Sequence, residues 1–83
     1  MEILPLSEKV KNKIEKQGLR RKFDKQTKLL INNLKHPGLN IELLEPREYG
    51  IYSFRIDIKH RALFVFRPDK QAVEILAITL HYR

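Results

Sequence analysis

The spacing of apolar residues changes once along this chain, and that change limits the fold more than any other feature. Before Pro37-Gly38 the apolar residues recur at helical intervals. After it they alternate, or form short runs rich in β-branched and aromatic residues, as strands do. The chain has 83 residues, which is enough for a single domain, residues 1–83, around one core. We therefore expect an α+β fold with a helical N-terminal part packed on a C-terminal sheet.

The N-terminal part predicts a hairpin of two helices. Ser7 followed by Glu8 is typical of a helix N-cap with an acid in the first turn, and Gly18 is placed to end this helix. The second helix continues until Pro37 forces the residue before it out of the helical region. The two apolar stripes are Leu6, Val10 and Ile14, and then Leu19, Phe23, Leu30, Ile31 and Leu34, with Thr27 in the gap.

The C-terminal part predicts a curved antiparallel sheet of about four strands. Short turn segments separate the strands, so strands that are neighbours in the sequence pair in space. The segment from Glu2 to Pro5 is long enough only for a short edge strand. The predicted strands are residues 41–44, 51–56, 61–66 and 72–82.

The loop between the second and third strands decides which side chains share a face. If residues 57–59 form a three-residue loop, Arg55 lies opposite Arg61 and both side chains point to one side. Only this register separates apolar from polar residues cleanly. The face under the helices is then Tyr52, Phe54, Ile56, Ala62, Phe64 and Phe66, joined by Leu76, Ile78 and Leu80 of the last strand. The open face is Ser53, Arg55, Asp57, Arg61, Leu63, Val65, Val73, Ile75, Ala77, Thr79 and His81.

The charge indicates a polyanionic partner. The formal net charge is +7, a balance typical of proteins that bind nucleic acid or another acidic surface. Residues 1–36 carry ten Lys and Arg against four Asp and Glu, whereas residues 37–83 carry seven against six. The basic helix exteriors are either a polyanion-binding surface or an ordinary solvated face, and the sequence leaves both open.

Composition removes several classes of chemistry. The chain has no cysteine, which excludes disulfides and thiol nucleophiles, and its three scattered histidines argue against a metal site. We expect no metal and no cofactor. No run approaches the length of a membrane span, and no signal-peptide pattern is present, so we expect a cytoplasmic protein without a membrane partner.

The open face carries groups suited to cleaving RNA without a metal. That reaction needs a base for the 2′-hydroxyl proton, cations for the dianionic transition state and an acid for the leaving oxygen. Arg55 and Arg61 suit the cation role because a guanidinium matches phosphate oxygens. His81 or Glu45 would exchange the protons. The alternative is structural: the arginines pair with a carboxylate such as Asp57, and His81 is merely solvated.

These residues resemble those of a known superfamily. GIYSFRIDIKHRALFVF, followed later by AITLHYR, resembles the RelE/ParE toxins of type II toxin–antitoxin systems, most closely the YoeB-like branch of RelE ribonucleases. The shared features are an aromatic-Ser-x-Arg-Ile strand, a His-Arg-x-x-aromatic strand and a C-terminal His-Tyr pair. The likeness covers residues 38–83 by motif and implies a helical hairpin on a curved antiparallel sheet.

The resemblance also implies roles for individual residues. Arg55 and Arg61 match the two phosphate-binding arginines. His81 and Tyr82 match the pair that contributes proton transfer and base stacking, and Glu45 is similar to the acid that serves as general base.

The resemblance further implies partners. Family members cleave mRNA in the ribosomal A site, in most cases only on the ribosome, and a cognate antitoxin silences them. The basic surface would then grip ribosomal RNA through Lys9, Lys13, Arg20, Arg21 and Lys59. Two alternatives remain: a ParE-like DNA gyrase inhibitor without nuclease activity, against which the His-Tyr pair argues, and an inactive antitoxin-binding module.

Overall fold

The computed structural model describes residues 1–80, apart from the side chain of Lys70. Two helices pack on one face of a five-stranded sheet, which confirms the predicted α+β architecture. The elements are β1 Glu2–Ile3, α1 Glu8–Lys16, α2 Arg20–Asn32, β2 Glu42–Leu43, β3 Tyr52–Arg55, β4 His60–Arg67 and β5 Ala72–Leu80. Among these residues, neither helix has the length and apolarity that crossing a membrane requires.

The sheet contains one strand more than predicted, and it is mixed. Its order is β1-β5-β4-β3-β2, and the pairs β2–β3, β3–β4 and β4–β5 are antiparallel as expected. The additional strand is β1, which pairs in parallel with Ala72 and Val73 of β5. The strand predicted over residues 41–44 is only the two residues of β2, so the strand at this edge of the sheet is short.

Helix α1 and the start of α2 lie where the local sequence predicts, but α2 ends at Asn32, before the end predicted at Pro37, because Asn33 is already extended. The Ser7 hydroxyl accepts a hydrogen bond from the N–H of Val10 at 3.2 Å and caps α1. Gly18 then adopts a φ of +64°, which a residue without a Cβ tolerates. The N–H of Leu19 bonds back to the carbonyl of Ile14 at 2.9 Å. Leu19 is thereby turned into the core at the start of α2.

The buried face of α2 differs from the predicted stripe. Ile31 was expected in the core but is 41 % exposed, and Gln26 is buried instead. The Gln26 amide nitrogen donates to the carbonyl of Gly38 at 3.0 Å and to that of Arg55 at 2.7 Å. A buried amide is tolerated when it is hydrogen-bonded, so this side chain ties α2 to the end of β3. A pattern of apolar residues alone does not reveal such a contact.

The predicted faces of β3 and β4 are confirmed. Phe54 and Phe64 are fully buried beneath the helices, and Ile56 and Ala62 lie beside them. An aromatic cluster forms the centre of this face, with adjacent ring centroids 5.2–5.7 Å apart. Its members are Tyr52, Phe54, Phe64 and Phe66.

A β-bulge changes the register of β5. Leu63 of β4 pairs with Ala77, whereas the next residue, Phe64, pairs with Ile75. Leu76 is therefore an extra residue on β5 without a partner on β4.

The bulge overturns the predicted faces of the last strand. Val73 and Ile75, expected on the open face, are buried in the core. Leu76, expected in the core, is the bulged residue and is 38 % exposed. Leu80 pairs with His60 on the predicted face but was also expected in the core, and it is 49 % exposed at the end of the strand. Ile78 is buried as predicted. The prediction assumed strict alternation, and one extra residue shifts every side chain on one side of it to the other face.

The hairpin between β3 and β4 has the predicted three-residue loop, held by Asp57. The N–H of Ile56 bonds to the carbonyl of His60 at 3.0 Å and closes it. Asp57 Oδ1 accepts the N–H groups of Lys59 and His60 at 2.9 and 2.8 Å and lies 3.0 Å from His60 Nδ1. Its Oδ2 lies 3.2 Å from Lys22 Nζ on α2. Burial alone raises the pKa of Asp57, but these hydrogen bonds outweigh it and hold the pKa well below its usual range.

Asp57→Asn is expected to destabilise the protein at neutral pH and much less in acid. A lowered pKa in the folded state means that the stabilisation is complete above the unfolded value of about 3.9 and is lost as the pH falls toward the folded value. We expect the substitution to lower the free energy of unfolding by about 1–2 kcal/mol at neutral pH. That difference should shrink steadily below about pH 4, as measured by urea unfolding followed by circular dichroism.

Asp69→Asn is the matched control, because Asp69 is exposed in the turn before β5. It should leave the unfolding free energy within about 0.5 kcal/mol of the wild type at each pH. Equal stability of the wild type and Asp57→Asn at neutral pH would contradict the role given to the Asp57 carboxylate.

Candidate functional site

The open face of the sheet carries its polar residues in two rows that cross the strands. One row is Arg55, Arg61 and Thr79, and the other is Glu42, Ser53, Leu63 and Ala77. The predicted opposition of Arg55 and Arg61 is confirmed. Directly opposed residues in an antiparallel pair have Cα atoms about 4.5–5.5 Å apart, so two cationic side chains start from neighbouring points.

Arg61 is buried although it lies on the open face. Its side chain is only 6 % exposed. Nε donates to the Ser53 hydroxyl at 2.9 Å, and Nη2 donates to the carbonyl of Asn40. Glu42 Oε1 lies 4.0 Å from Nη2. The guanidinium thus reaches across β3 to the chain around β2, and its ion-pair partner is Glu42 rather than Asp57.

The positive charges around Arg61 favour the binding of an anion. Burial lowers the pKa of Arg61, the Glu42 carboxylate raises it, and the neighbouring Arg55 lowers it. An arginine stays protonated in proteins, so this environment holds a buried positive charge next to a second cation. One half-exposed carboxylate balances the two only in part.

Arg55 is the accessible member of the pair. Its backbone carbonyl is fixed by Gln26, and its side chain is half-buried. In residues 1–80 no carboxylate oxygen lies within 4.0 Å of its guanidinium. Its donors therefore remain available to a ligand, whereas those of Arg61 largely serve the protein itself.

The carboxylate beside the arginines is Glu42, which the sequence analysis missed. Glu45, the residue carried over from the resemblance, is 80 % exposed and pairs with Arg47 at 3.4 Å. Glu42 lies opposite Ser53 on the same face as Arg61. Strand alternation would have indicated it, because Leu43 faces the other side of β2. Among the described residues, no group of three or more His, Cys, Asp and Glu side chains is arranged to hold a metal ion.

Four of the remaining predicted site residues lie either outside the described part of the chain or beside α1. His81 and Tyr82 lie outside the described residues, and Thr79 opposite Arg61 is the nearest described open-face residue in the chain. Lys9 and Lys13 line one wall of a groove between α1 and β5.

The other three predicted RNA-binding residues lie elsewhere. Arg20, at the start of α2, is 3.8 Å from a carboxylate oxygen of Glu15 and 3.6 Å from one of Asp24. Arg21 is an exposed neighbour of Arg20, and Lys59 is exposed in the β3–β4 loop. The five basic residues are therefore spread over several elements, and RNA binding by them stays a prediction.

The burial of Arg61 predicts that its loss damages the fold more than the loss of Arg55. Arg61→Ala leaves the buried Ser53 hydroxyl and the Asn40 carbonyl without their donor, which is expected to cost about 2–3 kcal/mol. Arg55→Ala removes a side chain that has no such partner in residues 1–80, so about 0.5 kcal/mol is expected. Urea unfolding of both variants at neutral pH measures the difference. Equal losses would mean that the Arg61 hydrogen bonds do not stabilise the fold.

The structure of this chain is similar to solved structures of toxins. No protein-family model and no curated protein matches the sequence. The YoeB/ParE toxin from Agrobacterium tumefaciens superposes with a TM-score of 0.74 at 16 % identity, covering 98 % of each chain. A chain of the heterotetrameric YoeB-YefM toxin-antitoxin complex from Staphylococcus aureus superposes with a TM-score of 0.70 at 20 % identity, covering 99 % of this chain and 97 % of that one.

Both superpositions cover nearly the whole of this chain, including the helical hairpin that the sequence motifs did not reach. They bear out the fold that the resemblance implies. The chain has the fold of the YoeB/ParE toxin structures.

Proposed function

We propose that this protein is the toxin of a type II toxin–antitoxin system and acts as a ribosome-dependent endoribonuclease that cleaves mRNA without a metal. The observation that carries the proposal is the pair Arg55 and Arg61 beside the Glu42 carboxylate on the open face. The fold similarity to YoeB/ParE toxins supports the toxin role. The sequence motifs support the nuclease branch.

In the proposed reaction the Glu42 carboxylate takes the proton from the 2′-hydroxyl of the RNA. The 2′ oxygen then bonds to the adjacent phosphorus, the bond from phosphorus to the 5′ oxygen breaks, and the 5′ oxygen takes up a proton. Glu42 suits the first step because its side chain is half-exposed and hence reachable by a substrate. Glu45, which is exposed and pairs with Arg47 and with neither Arg55 nor Arg61 among the described residues, suits it less.

The two arginines have different parts in this proposal. Arg55, with its free donors, binds the non-bridging oxygens of the scissile phosphate. Arg61 supplies a fixed positive charge on the same face, because its hydrogen bonds to Ser53 and Asn40 hold it in place. His81 and Tyr82 keep the roles implied by the resemblance, proton donation to the 5′ oxygen and stacking on a base.

The proposed partners are a cognate antitoxin, the ribosome and mRNA. The Staphylococcus aureus neighbour is a toxin–antitoxin complex, which supports a protein partner. The basic residues Lys9, Lys13, Arg20, Arg21 and Lys59 would contribute salt-dependent affinity for ribosomal RNA. A cytoplasmic location follows from such partners and belongs to the same proposal.

A DNA gyrase inhibitor is the second candidate. The Agrobacterium tumefaciens neighbour is described as a YoeB/ParE toxin, so the fold serves both branches. A gyrase inhibitor needs no proton transfer, so the Glu42–Arg61 arrangement would have no chemical role in it. An inactive antitoxin-binding module is the third possibility, because the Arg61 contacts stabilise the fold whether or not RNA is cleaved.

The proposal is tested by mapping mRNA ends in a purified translation reaction with ribosomes. The wild-type protein should cleave the message, and Glu42→Gln and Arg55→Ala should each slow cleavage by about 100-fold or more. Glu45→Gln is the matched control, and we expect it to keep wild-type activity because the ion pair of its carboxylate in the described residues is with Arg47 and not with Arg55 or Arg61. Arg55→Ala is preferred to Arg61→Ala because it leaves the buried hydrogen bonds intact.

The same preparations distinguish the alternatives. Inhibition of gyrase supercoiling by folded wild-type protein, without cleavage of mRNA, would identify a gyrase inhibitor. Neither activity in a folded protein would identify the inactive module. Loss of cleavage in Glu45→Gln but not in Glu42→Gln would return the base role to Glu45.

A further inference from the structure

We propose that a depression at the apolar end of the open face binds one nucleobase of an RNA strand, stacked on the ring of Tyr49. The inference deepens the proposed function and rests on it in taking the ligand to be single-stranded RNA. It names a base subsite at the end of the sheet away from the arginine row. Tyr49 has no part in the proposed reaction.

The open face of the sheet is polar at one end and apolar at the other. Arg55 and Arg61 are opposite each other at the polar end. Ile51 lies four residues before Arg55, and Val65 lies four residues after Arg61. Side chains alternate along a strand, so both apolar residues lie on the face that carries the arginines. The N–H of Leu44 bonds to the carbonyl of Ile51 at 2.9 Å, so the pairing with the β2 segment reaches this end.

A depression of about 520 Å³ lies at the apolar end. Ile51 and Val65 line it, together with Leu76, which the bulge leaves 38 % exposed. Tyr49 and Arg67 also line it, and both are exposed, so they belong to its rim. Apolar surface that is exposed and rimmed by polar groups is typical of a binding site.

The backbone fixes the position of Tyr49 beside the depression. Tyr49 ends a short 3₁₀ turn, Arg47–Tyr49, and its N–H donates to the carbonyl of Pro46 at 3.2 Å. Gly50 then adopts a φ of +64°, and its N–H donates to the carbonyl of Arg47 at 3.0 Å. Tyr49 is 69 % exposed. A ring this exposed adds little to the core, and its face is available to stack on a base.

The chemistry of the depression suits a nucleobase. Proteins that bind single strands combine cations that follow the phosphates with aromatic rings on which the bases stack. Arg55 supplies an accessible cation, and Tyr49 supplies the ring. Arg67 Nε donates to Glu74 Oε1 at 2.7 Å. This pair places polar groups at the rim, where the edge of a base can form hydrogen bonds.

The distance from the arginines fits one RNA strand. Four residues of strand separate Ile51 from Arg55, which is about 13 Å at roughly 3.3 Å per residue. A strand with one phosphate on Arg55 would place a base about two to four nucleotides away at Tyr49, because stacked nucleotides rise by about 3.4 Å each and unstacked ones by more. We expect a purine at this position, because a larger ring stacks more strongly.

The test uses the full chain and a 2′-O-methyl oligonucleotide about six nucleotides long, whose blocked 2′-hydroxyls prevent cleavage. It consists of uridines with one central 2-aminopurine, a base whose fluorescence falls when it stacks. Affinity is measured at low ionic strength from the anisotropy of an end label. We expect the protein to quench the 2-aminopurine and to bind this strand about threefold more tightly than an all-uridine strand.

Substitution of Tyr49 separates stacking from charge. Tyr49→Ala should weaken binding by about tenfold and abolish the quenching, whereas Tyr49→Phe keeps the ring and should retain both. Arg55→Ala should weaken binding but leave the quenching intact at saturation, because it removes a phosphate contact and not the ring. The matched control Ile31→Ala shortens an exposed apolar side chain on α2 and should change neither quantity. Circular dichroism checks that each variant folds.

Three outcomes would overturn the inference: no quenching by the wild type, unchanged affinity in Tyr49→Ala, or equal losses in Tyr49→Ala and Tyr49→Phe. Self-association of the wild type in sedimentation, lost in Tyr49→Ala while RNA binding is unchanged, would assign the depression to a second copy of this chain. The assay contains neither ribosomes nor cleavage. Stacking without mRNA cleavage in the translation reaction would refute only the proposed function, and cleavage without stacking would refute only this inference.

Discussion

The buried guanidinium of Arg61 is the interaction on which the rest of the site depends. A charge in this position is tolerated only when hydrogen bonds and an opposite charge surround it. Ser53, Asn40 and Glu42 meet that need, and they come from β3, from the turn before β2 and from β2 itself. The same contacts fix a short edge strand that has only two residues of its own ladder. The contacts that stabilise the buried Arg61 are therefore the same contacts that set the geometry of the candidate site.

The register that brings Arg55 to Arg61 is held from α2. Lys22 contacts Asp57 in the hairpin loop, and Gln26, four residues later and one turn along the same side of the helix, contacts the carbonyl of Arg55. A slip of one residue in this hairpin would put Arg55 and Arg61 on opposite faces, with one of them beneath the helices, and would turn the aromatic residues of that strand into solvent. The observed register buries much more apolar surface than the shifted one would. The two polar contacts from α2 favour the observed register further.

Local signals predicted much of this fold, and long-range contacts account for what they missed. Helix starts and ends at Ser7 and Gly18 follow from capping chemistry within a few residues, and the three-residue loop follows from the alternation around it. The bulge at Leu76 depends instead on how β5 lies against β4. The burial of Gln26 and Arg61 depends on partners 8 to 29 residues away. Alternation along β2 places Glu42 on the open face, but its contact with Arg61 depends on the guanidinium reaching over β3.

The bulge in β5 connects the core with the arginine row. Val73 and Ile75 on one side of Leu76 and Ile78 on the other are all buried, although Ile75 and Ile78 are three residues apart and strict alternation needs an even spacing. The extra residue at Leu76 restores the common face. Thr79, the residue after Ile78, then lies opposite Arg61 on the open face. Without the bulge, either the first or the second half of β5 would present its apolar residues on the open face, so the packing under the helices and the row of Arg55, Arg61 and Thr79 depend on the same irregularity.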